Sequence, residues 1–405
     1  MRIEFLLFIT ITAVSSVLSV TYYLLNSYLS RKRNTPNEKS EGLTPQDATI
    51  VITVFNESVE HLKRAIASVR DQVSEIIVVG DGVEQPYLSM CRDEGVTFLS
   101  TGIHSGKRKA MALGVSKVKT KVVVFMDGDM IPESDAIGNI MKEYSPRVGG
   151  VGGNITFDTM DGKFVSYASQ FIERSKEIIQ RSMKHFGSVM LIDGGFGSYR
   201  MDVVGKYITS PEFYDFKIQG NIPYYGGGDD ADLTSYIIGK GYVATKSFEA
   251  RVTTLPKDSI KSYMKQNIRW SRTGWRTFFK SLRNGSLKKA NKFYKFEQIF
   301  TYTLPIVFLV VILLKGLIFL EVLHFRGFIP AIFSMIGFHF HGHISNLDIL
   351  YRLSTTSSAV ASMVFAGSVA TRTLKNRLKT LAYGSIGAGI LFIATIYALF
   401  TYNKA

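Results

Sequence analysis

Cysteine is nearly missing from this chain. Cys91 stands alone among 405 residues. No internal disulfide can form and no thiolate zinc cluster can be assembled, which excludes both the stapled secreted scaffold and the zinc finger. Two nucleotide-handling motifs are missing as well. No Gly-Lys-Ser/Thr phosphate loop occurs, and Gly80-Asp81-Gly82 lacks the glycine spacing of a dinucleotide-binding turn, so the usual ATPase and dehydrogenase readings fail. Acid is also scarce, with 33 Asp plus Glu against 48 Lys plus Arg, a net charge of +15. Such a surplus suits nucleic acid, an anionic membrane surface or a phosphorylated substrate. Apolar surface is not scarce. With 46% hydrophobic residues, 28 Phe and 20 Tyr, the chain can build a core, and disorder is excluded for most of its length.

The apolar residues are bunched. Residues 3–29 are apolar apart from Glu4 and small polar groups, long enough to span the hydrocarbon core, and Arg31, Lys32 and Arg33 follow at once. A cleaved signal would have a shorter apolar region, a more basic start and a small-residue cleavage site, so 1–30 reads as a retained anchor. The basic cluster places the N-terminus outside and the following residues in the cytoplasm. Residues 31–46 read as a polar linker. Four apolar stretches close the chain, at 299–323, 328–344, 351–370 and 381–402, within a membrane region 299–405. Arg372, Lys375, Arg377 and Lys379 form a second basic loop, expected on the cytoplasmic side. The chain can return to that side only after an even number of crossings. Spans at 299–323 and 351–370 are therefore expected, with 328–344 interfacial or re-entrant. His339, His341 and His343 fit a polar turn there better than a metal tract. The final span at 381–402 is expected to leave the C-terminus outside.

Between the anchors, 47–256 alternates apolar strands with helices, the pattern of a mostly parallel sheet covered on both faces, whose ligands sit at the carboxyl ends of the strands. Asn56, Glu57, Asp81, Asp127 and Asp129 fall at such ends. Asp127-Gly128-Asp129 is either a common turn or a pair of carboxylates for a hard divalent cation that also holds phosphate oxygens. His104-Ser-Gly-Lys107-Arg108-Lys109 is either a basic helix start or a phosphate-facing clamp. Asp229 and Asp230 open a helix after three glycines. One of them caps it, or one faces a cleft as a general base with its pKa raised by its neighbour.

Residues 257–298 read as amphipathic interfacial helices. From 257 to 295 there are twelve Lys or Arg and one acid, Asp258, which is +11 of the +15. Ile260, Tyr263, Met264, Ile268, Trp275, Phe278 and Phe279 form an apolar stripe opposite the cations, as in a helix lying in a membrane surface. Trp270 reads as an interfacial anchor on these grounds. All the main cationic clusters flank apolar segments, so the partner expected from charge is the lipid bilayer and not nucleic acid.

Taken in order, Asp81, Asp127-Gly128-Asp129, Asp229-Asp230 and Gln266-Asn-Ile-Arg269-Trp270 resemble the processive family 2 glycosyltransferases over nearly the whole chain. Gly106-Lys107-Arg108, Gly228-Asp229-Asp230 and Arg269-Trp270-Ser271 are most similar to the hyaluronan synthases and the chitooligosaccharide synthases. The resemblance implies a GT-A-like cytoplasmic domain joined to transmembrane helices in the plasma membrane. It implies a metal-dependent inverting enzyme that polymerises a β-linked polysaccharide from UDP-sugars and translocates it, with UDP-N-acetylglucosamine and UDP-glucuronate as donors, or a chitin or glucan synthase. Non-processive transfer to a lipid-phosphate acceptor is the alternative.

By position, Asn56, Glu57 and Asp81 would contact the uridine, and Asp127 and Asp129 would hold nucleotide and Mg²⁺ or Mn²⁺. Lys107, Arg108 and Gln266 would belong to the donor site, with Arg269 facing the diphosphate. Asp230, beside Asp229, would deprotonate the acceptor hydroxyl, and Trp270 would stack under the acceptor sugar. The chain departs from the pattern at Gly194-Gly195-Phe196-Gly197, where relatives carry Ser-Gly-Pro, and at Ala231, where hyaluronan synthases carry Arg. It reads Asn403-Lys404-Ala405 where relatives continue into a Trp-Gly-Thr lid segment, so either the lid is lacking or a different loop supplies it, and more hydrolysis of UDP-sugar per transfer is expected.

Overall fold

The computed structural model describes residues 3–32, 40–215, 217–218, 222–223, 228–327, 329, 346–373 and 375–404. Apart from residue 329, the expected interfacial segment at 328–344 with its three histidines lies outside the described residues, as do residues 224–227 before the acidic pair.

The strand β1, Ala48–Val54, is buried almost throughout because both faces of the sheet are covered. It pairs in parallel with β2, Glu75–Gly80, and with β4, Val122–Asp127. Val54 lies beside Gly80 and Thr53 beside Asp127, so three acid-bearing turns leave the sheet at one edge. The full order is β3-β2-β1-β4-β7-β6-β10-β5, where β3 is Thr97–Ser100, β5 Ile131–Pro132, β6 Val148–Phe157, β7 Phe196–Arg200 and β10 Val243–Thr254. The β3-β2-β1-β4 block and β6-β10 are parallel; β7 and β5 pair antiparallel. A separate ribbon pairs β8, Lys217–Ile218, with β9, Ile222–Pro223.

One face of the sheet is covered by α2, Val59–Val69, whose Leu62, Ala65, Ile66 and Val69 recur at helical spacing and are all buried. The other face carries α4, Lys107–Val115, through Ala110, Met111 and Val115, and α9, Asp229–Gly239, through Leu233 and Ile237. The sequence places α4 and α9 so that each begins at the edge where β1, β2 and β4 end.

Among the described residues, four helices are long and apolar enough to cross a membrane. They are α1, Ile3–Leu29; α12, Lys292–Arg326; α13, Asn346–Arg372; and α14, Arg377–Thr401. The Asn291 side chain accepts the Tyr294 amide at 2.8 Å, so α12 starts a full turn or more before its apolar run. The helices α1 and α13 run parallel, with Phe8 against Tyr351, Ser16 Oγ donating to Ser354 O and Tyr23 against Phe365. Antiparallel to them runs α12, with Asn26 Nδ2 on Glu297 Oε1 at 3.3 Å and Tyr22 stacked on Phe300. Two helices outside this bundle meet it, α6 (Phe164–Lys184) and α10 (Ile260–Arg283). Ser259 Oγ accepts the Ser262 amide and starts α10.

Candidate active site

Two of the turns at the sheet edge are held by their own acids. Glu57 Oε2 accepts the amides of Phe55 at 2.6 Å and Asn56 at 3.1 Å, which curls the chain after β1. The side chain of Asp81 is buried and takes the amides of Ser105 at 2.7 Å and Gly106 at 3.0 Å, with His104 Nδ1 at 3.0 Å. Gly82, at φ +73°, lies so close to His104 that a Cβ there would come within 2.2 Å of its amide nitrogen. Asp81 thus fixes the loop that feeds Lys107 into the cleft, and the Phe55 and His104 rings pack 4.4 Å apart beside it.

Lys107 is the centre of the site. Its Nζ lies 2.7 Å from Asp127 Oδ1 and 3.7 Å from Asp229 Oδ2. Burial works to lower its pKa, but the charges of Asp127 and Asp229, then Asp230, overcome this and raise it, so it stays an ammonium. Asp129 is pushed above the usual carboxylate range by burial and by Asp127, against the pull of Lys257. Asp230 is pushed up to about 6, first by burial and then by Asp229, while the Ala231 amide and Lys107 oppose the shift. Its Oδ2 accepts the Gly194 amide at 3.3 Å. A Cβ at Gly194 would lie 3.1–3.2 Å from the Asp230 side chain, so glycine there leaves room for the carboxylate. Neither Asp229 nor Asp230 caps α9; the capping residue is Gly228, at φ +83°.

The structure brings Asp127, Asp229, Asp230 and Lys107 together, with Asp129 and Glu57 beside them. It does not bring Arg108. The Arg108 guanidinium is buried behind the cleft, donating to Asp232 Oδ2 at 2.8 Å, Gly228 O at 2.9 Å and Phe213 O at 3.2 Å. A donor-site role for Arg108 gives way to a role in holding the cleft wall. The helix α10 comes close through Thr273, whose Cγ2 would lie 2.7 Å from a Cβ on Gly228. Arg269 and Trp270 precede Thr273 by four and three residues, so they share the face that meets the start of α9, and both are exposed; Gln266, a turn earlier, is half-buried.

Two clusters escaped the sequence analysis. Asp232 collects Arg108, the Tyr207 hydroxyl at 2.9 Å and Lys280 at 2.5 Å, tying α4, α9 and α10 together. Asp193 lies between Lys176 at 2.6 Å and Lys246 at 2.7 Å. The one available signal for Asp232 was a third acid at the start of a helix; for Asp193 there was none, because its partners are 17 and 53 residues away.

The donor set suits a divalent cation. Among the described residues Asp127, Asp129, Asp229, Asp230 and Glu57 gather about Lys107, with Lys257 acting on Asp129, an excess of carboxylate that a cation would offset. Among the described residues no three His, Cys, Asp or Glu gather closely enough to hold a metal by themselves. Asp127 and Asp129 would therefore supply two ligands, and phosphate oxygens and water the rest.

A mostly parallel sheet with acids at this edge is the architecture of a GT-A-like glycosyltransferase fold. The fold is shared by a mannosyltransferase from Pyrobaculum calidifontis solved in complex with GDP-Man and Mn²⁺, with a TM-score of 0.64 and 15% identity over 100% of both chains. Residues 49–208 match the glycosyl transferase family 2 model, and the chain carries a glycosyl transferase family 2 domain. An N-acetylglucosaminyltransferase of Azorhizobium caulinodans is 25% identical over 63% of this chain and 66% of that protein. One from Rhizobium meliloti is 25% identical over 58% and 57%. Hyaluronan synthase 2 of Rattus norvegicus is 25% identical over 74% of this chain and 50% of that protein. The chain thus aligns with about half to two thirds of these curated relatives.

Replacing Lys107 by Met should raise the midpoint of the pH–rate profile above about 6, because Lys107 is one of the charges that hold Asp230 down. Initial rates from pH 5 to 9 would show it, and an unmoved midpoint would count against Lys107 sitting over the acid pair.

Proposed function

We propose that the chain is a membrane-integrated, processive, inverting glycosyltransferase that extends a β-linked polysaccharide from UDP-sugars on the cytoplasmic side and passes it through its own helices. UDP-N-acetylglucosamine is the expected donor. N-acetylglucosamine is named in one group of relatives and is a building block of the polymer named in the other, with glucuronate as the second sugar if the product is hyaluronan.

The observation that carries this reading is the Asp230 carboxylate, raised to about 6 beside Asp229 and the ammonium of Lys107, which pairs with Asp127, while exposed Arg269 and Trp270 stand on the face of α10 that meets the start of α9. A carboxylate with that pKa is mostly ionised near neutral pH and still basic enough to accept a proton from a sugar hydroxyl. As Asp230 takes that proton, the acceptor oxygen attacks the anomeric carbon on the face opposite the diphosphate, and an α-linked donor yields a β-linkage. Lys107 and Arg269 offset the charge that grows on the leaving diphosphate, and Trp270 offers an indole face to the acceptor sugar. Bound at Asp127 and Asp129, Mg²⁺ or Mn²⁺ would supply further neutralisation of the diphosphate.

Purified protein given Mn²⁺ or Mg²⁺ and UDP-N-acetylglucosamine, with or without UDP-glucuronate, should release UDP and form long free chains. Absence of UDP release under all these conditions overturns the transferase reading; short lipid-linked sugars would overturn processivity. Arg269→Lys keeps the charge and loses the planar fork, so kcat/KM should drop about tenfold or more. Wild-type kinetics in that variant would exclude a two-pronged diphosphate contact.

A further inference from the structure

Asp81 stands at the rim of the cleft yet presents almost nothing to it. Only 4% of the residue is exposed, and both carboxylate oxygens are occupied. Oδ1 accepts the amides of Ser105 and Gly106, and Oδ2 accepts the Gly106 amide and has His104 Nδ1 at 3.0 Å. A carboxylate only accepts, so the hydrogen of that last contact sits on Nδ1. The imidazole that covers Asp81 also packs on the Phe55 ring, 4.4 Å away and 30° from parallel. Phe55 is 44% exposed and the His104 side chain 47%, so a ligand entering the cleft can reach both. Gly102 and Gly106, both at positive φ, turn the chain on either side of His104. The loop is therefore held by its backbone, and the imidazole can leave Asp81 by rotation about its Cα–Cβ bond alone.

This ring stands where the base of a nucleoside diphosphate would fall. The strands β2 and β4 flank β1, so Asp81, just after β2, and Asp127, at the end of β4, are two strand spacings or about 10 Å apart. With the diphosphate at Lys107 beside Asp127, that distance is the reach of a nucleoside from its phosphates to its base. A base lying there needs a flat apolar surface to stack on and an acceptor for its ring N–H. Phe55 and Asp81 Oδ2 are those two groups, and His104 is using both. Imidazole and uracil are alike in what the pair would meet, since each is planar and turns one ring N–H toward the carboxylate.

We propose, granted the nucleotide-sugar donor of the preceding section, that His104 fills the nucleobase subsite of the free protein and that the donor's base must displace it. His104 is then a specificity-determining residue for the donor. A base that takes its place has to return an N–H to Asp81, which uracil does through N3; cytosine would turn a bare ring nitrogen and its lone pair toward the carboxylate. Contacts between His104, Phe55 and Asp81 are given up as those to the base form, so stack and hydrogen bond add little to net affinity. The apparent affinity is the intrinsic one scaled by the fraction of molecules in which His104 is already out of the subsite.

Titration of the full chain with UDP by calorimetry tests this. His104→Ala should bind UDP at least about threefold more tightly than wild type, while inorganic pyrophosphate, which has no base, should bind both equally. His104→Asn keeps an amide for Asp81 and loses the ring, so the loop stays held; it too should bind UDP more tightly, and it decides the matter if the alanine variant does not fold. Phe55→Ala gives a second measurement. In wild type it takes the stack from His104 and the base alike, whereas in His104→Ala it takes the stack from the base alone. Its cost in UDP affinity should therefore be at least about threefold greater in the His104→Ala background. UDP bound equally or less tightly by the His104 variants overturns the proposal, as does an equal cost of Phe55→Ala in both backgrounds or a matching gain for pyrophosphate. UDP that binds neither wild type nor variants overturns the nucleotide-donor reading itself, and this role of His104 with it.

Discussion

Replacing Asp230 with Asn should lower kcat by about 10²–10⁴-fold while UDP binding is kept, the loss expected when a positioned general base is removed. The amide is the same size, and its one oxygen can keep either the Ala231 amide, which lies 2.8 Å from Oδ1, or the Gly194 amide, which lies 3.3 Å from Oδ2. The fold should not suffer. Burial and Asp229 raise the folded-state pKa of Asp230 to about 6 from an ordinary 3.8, so ionisation costs folding free energy increasingly as pH rises through that interval and fully above it. Removing the charge leaves thermal stability at pH 7 unchanged or higher. The wild-type rate should rise with pH through a midpoint near 6 and then level off, since the base acts deprotonated; the residual rate of Asp230→Asn should lack that step. UDP titration by calorimetry and initial rates across pH 5 to 9 check both parts. A variant retaining a tenth or more of wild-type kcat would remove Asp230 from the role of base.

The features legible in the sequence are those that depend on neighbours along the chain. Strands β1, β2 and β4 are continuous apolar runs, and the acids that follow them announce the sheet edge. Lys107 was legible as part of a glycine-led basic segment. Arg108, its neighbour, was misplaced for the same reason, because a run of cations does not tell which one turns toward the cleft and which is drawn under the wall by Asp232, 124 residues away. Helix α14 shows a different limit. Hydropathy records that a segment is apolar but not what covers it; Gly384 and Gly387 let α6 approach too closely for any larger residue, and apolar length carries no sign of that packing. The amphipathic α6 carried no visible sign that half of it supports the sheet while its Glu177 receives Arg372 from the bundle at 3.3 Å.

Asp193→Asn should lower the unfolding free energy by about 3–5 kcal/mol, the usual cost of leaving buried charge without its partner. Burial alone would push the Asp193 carboxyl up, but Lys176 and Lys246 overcome it and hold it well below the usual range. Lys246 is only 2% exposed; beyond Asp193 its ammonium has Gln180 Oε1 at 2.8 Å. With a neutral amide at 193, two ammonium groups lose their shared carboxylate: Lys246 is left buried beside the neutral Gln180, whereas Lys176 keeps Glu173 Oε1 at 2.9 Å. The double variant Asp193→Asn/Lys246→Met removes one of those charges and should recover part of the loss, so the two substitutions are not additive. The sign of the pH dependence follows from the depressed pKa. The stabilisation is fully present above about pH 4 and is lost only as pH falls through the lower folded value, so the gap between wild type and variant should be flat from pH 5 to 8. The site feels the same change. Gly194 donates to Asp230, and Gly195 O accepts the Asp127 amide at 3.0 Å, so the loop that Asp193 anchors is bonded to both Asp230 and Asp127. The negative charge of Asp193 also contributes to the raised pKa of Asp230, so the midpoint of the pH–rate profile should fall in Asp193→Asn, measured on the folded fraction at a temperature below the transition. Thermal unfolding followed by tryptophan fluorescence gives the stability term, and a single variant as stable as wild type would mean that the buried lysines had found other partners.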